Sequence, residues 1–271
     1  ANLKAVSIRS RRLHKDSLEA FGVKVGLSLQ DGKTPQIAYL PFYNLEGNLT
    51  HYKVRLLDQK KMRTLGDARN PNFFGWKEAV RQGSKHLIIT EGEFDAVALH
   101  RIFHMHEKEE FKGTIPAIIS LPSGVSHAKN VVAKMLPEIR KHWDLSCVAL
   151  CFDNDEAGQK ALEEVCKVSP LFKVINLPEK DANECILKGS TKAAYQAAKW
   201  NAEVKKNTSL VSLDEVWEQS KEPASYGVSW PWDGVTKLTR GIRTGETVYL
   251  GAAQKMGKSE VVNALAAHLV A

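Results

Sequence analysis

Between residues 85 and 190, short apolar runs alternate with segments of helical spacing, and three of the runs end in carboxylates. Leu87-Ile88-Ile89 leads through Thr90 to Glu91-Gly92-Glu93-Phe94-Asp95; the run Cys147 to Phe152 leads to Asp153-Asn154-Asp155; the run Phe172 to Leu177 precedes Asp181. A further run at 116–121 opens into Pro122-Ser123-Gly124. Helices are expected at about 94–104, where Phe94, Val97, Ala98 and Ile102 share a face, and at about 127–140, where Val131, Val132, Met135, Leu136 and Ile139 do. Two more are expected from Ala157 to Val168 and from Ala182 to Leu187. Such alternation constrains the chain to an α/β fold with a mainly parallel sheet and right-handed crossovers.

Ligands of an open α/β sheet gather at the carboxyl ends of its strands. Acids far apart in sequence are therefore expected on one rim. A single cluster reads equally well as helix capping, because a helix N-terminus favours negative charge. The set reads differently. Asp153 and Asp155 project to one side if the strand continues extended, and Asp181 adds charge to the same edge. Without a cation between them, such acids repel and at least one pKa rises. These clustered acids are therefore expected to hold Mg²⁺ or Mn²⁺. Glu93 stays open between the shell and a helix cap.

The 271 residues carry a net charge of +7 and a pI of about 9.1. An acidic pocket within a basic protein suits the handling of a polyanion. The basic residues concentrate before residue 85. After a short helix, Ser17 to Phe21, the runs Ile37 to Tyr43 and Leu49 to Leu57 flank the turn Asn44-Leu45-Glu46-Gly47-Asn48 and predict a hairpin. Lys53, Arg55, Lys60 and Lys61 lie on and after its second strand, with Tyr39, Phe42, Tyr43 and Tyr52 interleaved. This is either a solvated face or a groove for single-stranded nucleic acid and nucleotide phosphates. Lys129 is a further candidate for that groove. No apolar run reaches transmembrane length and no signal peptide leads the chain; the start at Ala1 reads as a fragment or processed form. Cys147, Cys151, Cys166 and Cys185 form no C-x-x-C pair, so reduced packing residues and no zinc site are expected.

Downstream, a helix is expected from Ala193 to Ala202, a linker from Val204 and a short amphipathic helix from Leu213 to Lys221. Gly245 to Leu250 then reads as a strand leading into Gly251-Ala252-Ala253-Gln254-Lys255-Met256-Gly257-Lys258-Ser259 and an apolar helix. In a phosphate loop, Lys258 reaches the β/γ-phosphates and Ser259 holds Mg²⁺. The strict pattern has glycine where this chain has Ala252, with Gly251 one step earlier. Productive ATP hydrolysis is not expected from this stretch alone.

Glu91-Gly92-x-x-Asp95 followed by Phe152-Asp153-Asn154-Asp155-Glu156-Ala157-Gly158 resembles the Toprim domain of primases, topoisomerases and related nucleases. Lys180-Asp181-Ala182-Asn183-Glu184 resembles the motif that follows in primases, and Met256-Gly257-Lys258-Ser259 the P-loop of DnaB-like helicases. In this order they resemble the T7-type bifunctional primase–helicases of phages. The resemblance implies an α/β Toprim-type sheet with flanking helices, preceded by a small basic α+β subdomain and followed by a linker and a truncated P-loop segment. The corresponding divisions are 1–84, 85–203, 204–227 with its docking helix, and 228–271. It implies a DNA primase that makes short RNA on single-stranded DNA from NTPs, with Glu91, Asp95, Asp153, Asp155 and Asp181 as the catalytic set, of which Glu91, Asp153 and Asp155 would hold Mg²⁺ or Mn²⁺ and Asp95 and Asp181 would complete the shell. It further implies ATP at Gly257, Lys258 and Ser259 if the helicase domain were complete. Neighbouring subunits would dock through the linker helix into a hexamer, in the cytoplasm of an infected bacterium. A Toprim nuclease, or a silent module that only binds DNA and docks a helicase ring, are the alternatives; the retained acids disfavour the silent one.

Overall fold

The computed structural model describes residues 3–59, 61–69, 71–205, 217, 221 and 226–270. Lys60 and the expected docking helix at 213–221, apart from Trp217 and Lys221, lie outside them. The chain divides into two compact units, Ala1–Lys206 and Asn207–Ala271.

The larger unit opens with helix α1 (Lys15–Ala20) and an antiparallel sheet in the order β1 (Lys24–Leu27), β2 (Pro35–Tyr43), β3 (Leu49–Leu56) and β4 (Met62–Gly66). The expected hairpin is β2–β3, and Arg55 pairs with Ala38 and Lys53 with Leu40. Cross-strand partners share a face. Ala38, Leu40 and Phe42 are fully buried, so that face turns inward and carries Lys53 and Arg55 with it. The sequence left β1 and β4 unread because β1 is short and every residue of β4 is exposed. Without a buried face there is no alternation to detect.

After α2 (Trp76–Gln82) come β5 (Leu87–Thr90), α3 (Glu93–His106), β6 (Ala117–Ser120), α4 (Ala128–His142), β7 (Val148–Cys151), α5 (Glu156–Cys166), β8 (Lys173–Val174), α6 (Ala182–Lys188), α7 (Thr191–Lys199) and β9 (Glu203–Val204). The sheet order is β6-β5-β7-β8-β9, parallel except for the last pair. The run at 172–177 yields a strand of only two residues; the Ile175 N–H still donates to the Leu150 carbonyl at 2.9 Å, and Ile175 and Leu177 pack into the core cluster that holds residues of α3 and α6.

Both faces of the parallel sheet are covered, as continuous apolar strands require. Leu87, Ile89, Ile119, Val148 and Leu150 pack against α4 and α5. Ile88, Ile118 and Ala149 turn the other way, into a cluster that also holds Leu40 and Phe42 of β2 and Phe94 of α3. One apolar core therefore runs through the boundary expected at 84/85, and it fixes the basic hairpin against the parallel sheet.

In the second unit the helix over the apolar run after the phosphate loop forms at Lys258–Val270. The strand expected over Gly245 to Leu250 does not form. A strand needs a neighbour for its backbone N–H and C=O groups, and among the described residues this segment has none. The β-bridge in this unit joins Val228 to Ile242 instead.

Candidate active site

β5 pairs in register with β6 through Thr90 and Ser120, and with β7 through Thr90 and Cys151. All three strands thus end at one level, and the residues after them leave the sheet side by side. Thr90 is fully buried, and its hydroxyl is shared between the Gly92 and Ile119 carbonyls at 3.1 and 3.2 Å, which fixes the exit of the Glu91 loop. The Asp153 backbone N–H donates to Glu91 Oε2 at 3.4 Å across 62 residues of sequence.

The two motif glycines are needed for space. A Cβ on Gly92 would stand 2.5 Å from Asp95 Oδ2, and one on Gly158 would stand 2.1 Å from the Asp153 carbonyl oxygen. Real Cβ atoms do not approach so closely, so Gly158 is required against fixed backbone, while a side chain at position 92 would push the Asp95 carboxylate aside.

Glu91, Asp95, Asp153 and Asp181 line one cleft of about 850 Å³, together with Ser123 and Gly124. Burial, and after it repulsion from Glu91 and Asp181, raises the Asp153 carboxyl to about 7, with Lys180 opposing. Burial likewise raises Glu91, and it lifts Asp95 well above the usual carboxylate range with help from Asp181 and Asp153. Asp181 caps α6 by accepting from the Glu184 backbone N–H at 2.6 Å. Asp155 is used differently. Its Oδ1 caps α5 at the Gly158 N–H, 3.0 Å away, and its Oδ2 meets Lys180 Nζ at 2.9 Å. It does not line the cleft. Of the expected ligand trio, Glu91 and Asp153 line the cleft, while Asp155 stands beside it, near enough for its charge to raise both of them. Among the described residues no three His, Cys, Asp or Glu side chains form a ready-made metal cage. The donors are hard carboxylate oxygens, which suit Mg²⁺ or Mn²⁺.

Arg11, Lys53, Arg55 and Lys61 line the same cleft. Arg11 and Arg55 lie over the Phe94 ring, 4.6 and 5.5 Å from its centroid. Burial and the neighbouring Arg55 charge lower the Arg11 pKa. Arg11 is clasped to Asn183: its Nη1 donates to Asn183 Oδ1 at 3.1 Å, and Asn183 Nδ2 donates to the Arg11 carbonyl at 2.9 Å. Sequence reasoning missed Arg11. The basic run Arg9-Ser10-Arg11-Arg12 is visible, but only the packing of its 3₁₀ turn on α6 selects which arginine enters the cleft.

Lys53 is tied to Glu93 in a pair whose side chains are 13% and 4% exposed. Glu93 thus lines the cleft as the buried counter-ion of Lys53. Lys129 lies outside the cleft and pairs with Glu164 of α5 at 2.9 Å. The interleaved aromatics do not face the cleft either. Phe42 is core, and Tyr39 packs edge-on against Tyr52 at 6.4 Å. In the second unit, Gly257 has φ +79° and Lys258 Nζ donates to the Ala252 carbonyl at 2.6 Å, so the loop curls around its own lysine.

Comparison with known proteins follows the same outline. A Toprim-like family matches residues 88–186. The chain is 30% identical over 263 residues to the DNA helicase/primase of Enterobacteria phage T3, covering 94% of this chain and 43% of that relative. It thus spans less than half of the length of that curated protein. The primase fragment of the bacteriophage T7 primase-helicase superimposes with a TM-score of 0.59 and 27% identity, over 73% of this chain and 76% of that one. The T7 lagging-strand DNA polymerase complex, with primase domains of two gp4 subunits bound to an RNA/DNA hybrid and dTTP, matches with a TM-score of 0.60 and 28% identity, over 75% and 94% of the chains. The E. coli primase catalytic core shares the fold at a TM-score of 0.51 and 15% identity, over 72% of each chain. Residues 88–186 are a Toprim-like domain, and the mixed α/β fold around them is the one these primases have.

Proposed function

We propose that this Toprim-bearing chain is the primase part of a phage primase–helicase, making short RNA on single-stranded DNA in the cytoplasm of the infected host. The observation that carries the reading is the meeting of Glu91 and Asp153, from two different strands, in a cleft that Arg11, Arg55 and Lys61 also line. A cleft lined by both carboxylates and cationic side chains suits a triphosphate together with its cation. Relatives that bear the names DNA helicase/primase and primase-helicase support the reading.

The reaction is nucleotidyl transfer. A ribonucleotide 3′-oxygen bonds to the α-phosphorus of an incoming NTP, the bond from that phosphorus to the β-phosphate oxygen breaks, and pyrophosphate leaves with the electron pair. The 3′-hydroxyl proton passes to solvent or to a cleft carboxylate. Mg²⁺ or Mn²⁺, when bound, lowers the hydroxyl pKa and neutralises the leaving charge. Mg²⁺ commonly takes only one or two carboxylates and completes its shell with phosphate oxygens and water, so Glu91 and Asp153 are the anchors that line the cleft, with Asp155 beside them. Asp181 supplies negative field behind them, with Asp95 buried near it. Arg11 and Arg55, held over Phe94, orient the phosphates. Lys61 is exposed and draws in the template. Lys53 is occupied by Glu93 and sets the hairpin in place.

A primer-synthesis assay tests this. The protein, single-stranded DNA, Mg²⁺ and labelled NTPs should yield oligonucleotides that lengthen with time. DNA cleavage without NTP incorporation would overturn the primase reading in favour of a Toprim nuclease. For the second unit, the curl of Lys258 and the Gly257-Lys258-Ser259 core support a P-loop that binds ATP phosphates as part of a larger helicase domain. Assembly with neighbouring subunits into a hexamer belongs to that whole protein.

A further inference from the structure

Of the five acids of the catalytic set, Asp155 is the one that has an ion-pair partner among the described residues. Lys180 Nζ stands 2.9 Å from its Oδ2, while Oδ1 is spent on the Gly158 N–H. Both oxygens are therefore engaged. The two loops that meet here are also tied through the backbone, the Asn154 N–H donating to the Lys180 carbonyl at 2.6 Å. The loop carrying Lys180 is thus fixed, whereas its side chain is 48% exposed and Asp155 40% exposed. A pair this open to water is weak and screened by salt, so it exchanges partners readily. The Lys180 charge also acts on Asp153 and Glu91, the two acids that converge in the cleft.

We propose that Lys180 is a resident counter-ion of the acid rim. It occupies Asp155 in the metal-free protein and yields that carboxylate when a divalent cation enters. The proposal rests on the cation-binding reading of the cleft and adds a competitor to it. A fixed ammonium and an incoming divalent cation seek the same negative field. Lys180 therefore weakens cation binding while relieving repulsion in its absence.

The test uses the full chain and Mn²⁺ alone as probe, with binding followed by calorimetry at low salt. Lys180→Met should tighten Mn²⁺ binding by about two- to fivefold, the size expected of a half-exposed ion pair. The same variant should lower the melting temperature of the metal-free protein and enlarge the rise that Mn²⁺ produces. In an Asp155→Asn background, which keeps the cap on α5, the affinity gain should shrink. Unchanged or weaker Mn²⁺ binding by Lys180→Met, with normal binding by the unaltered chain, would overturn the counter-ion role and leave the cation site standing. Absence of Mn²⁺ binding by the unaltered chain would remove both.

Discussion

The acid rim and the Gly257-Lys258-Ser259 loop carry equally legible motifs, yet they sit in opposite kinds of surroundings. At the rim, three strands end at one level, and both faces of their sheet are covered by apolar clusters. Every acid there is aimed by a packed element. In the second unit, the segment leading to the loop exposes Tyr249 at 91% and Val248 at 57%, and it pairs with no strand among the described residues. The loop still adopts its curl, because Gly257 and a lysine folded over nearby carbonyls need only local backbone. A motif can thus write its own local geometry. Placing a second catalytic group opposite it takes a sheet.

The largest test of this contrast is Asp153→Asn. It should reduce primer synthesis by about 10²- to 10³-fold or more, as loss of a preorganised electrostatic group does, with circular dichroism unchanged and the melting temperature not lowered. Retained synthesis would dissolve the rim as a catalytic centre. Next in size is Lys53→Met, which leaves Glu93 buried without its partner. Stripping one member of a buried pair costs about 3–5 kcal/mol, so a large drop in the denaturation midpoint is expected; a shift below about 1 kcal/mol would mean that water reaches Glu93.

The pH dependence of stability is smaller and has a definite sign. Asp153 is raised to about 7 from an ordinary value of 3.8. Between those values the folded protein holds a proton that the unfolded chain has released. The contribution is therefore fully present below about pH 4 and is lost as pH rises through about 7. Melting of the metal-free protein should decline over that window, Asp153→Asn should flatten the decline, and Mg²⁺ should offset it near pH 8. A flat profile in the unaltered chain would contradict the crowding of the acids. Smaller again is Lys61→Ala. This exposed residue should reduce the slope of log affinity against log salt for single-stranded DNA by about one, without changing stability. Lys258→Ala should have the least effect at the rim, leaving primer synthesis by this chain unchanged while reducing nucleotide-phosphate binding at the loop. A loss of synthesis would show that the two motifs are coupled after all.

Much of the rim was legible because its signals are local. The apolar runs before Glu91 and Asp153 announced strands, the helical spacing after them announced crossovers, and alternation of the two leaves few topologies. What escaped was partnership. Asp153 and Asp155 read as equivalent, yet Asp153 enters the cleft while Asp155 turns to the α5 N-terminus and Lys180. Lys53 and Lys61 read as one basic patch, but Lys53 faces inward to Glu93 because it shares a sheet face with Leu40. Lys129 read as a groove residue and pairs with Glu164. Arg11 gave no spacing signal, since its partner Asn183 is 172 residues away.

The sequence by itself determined the order of strands and helices, the edge on which the acids collect, and the glycine that lets α5 begin beside them. These depend on periodicity and on backbone sterics, which act over a few residues. Only the tertiary structure decided which charges stay free and which are spent on one another. That choice is made by burial and by contacts between segments distant in the chain, where a neighbour a few ångströms away settles whether a charge is free to meet a ligand.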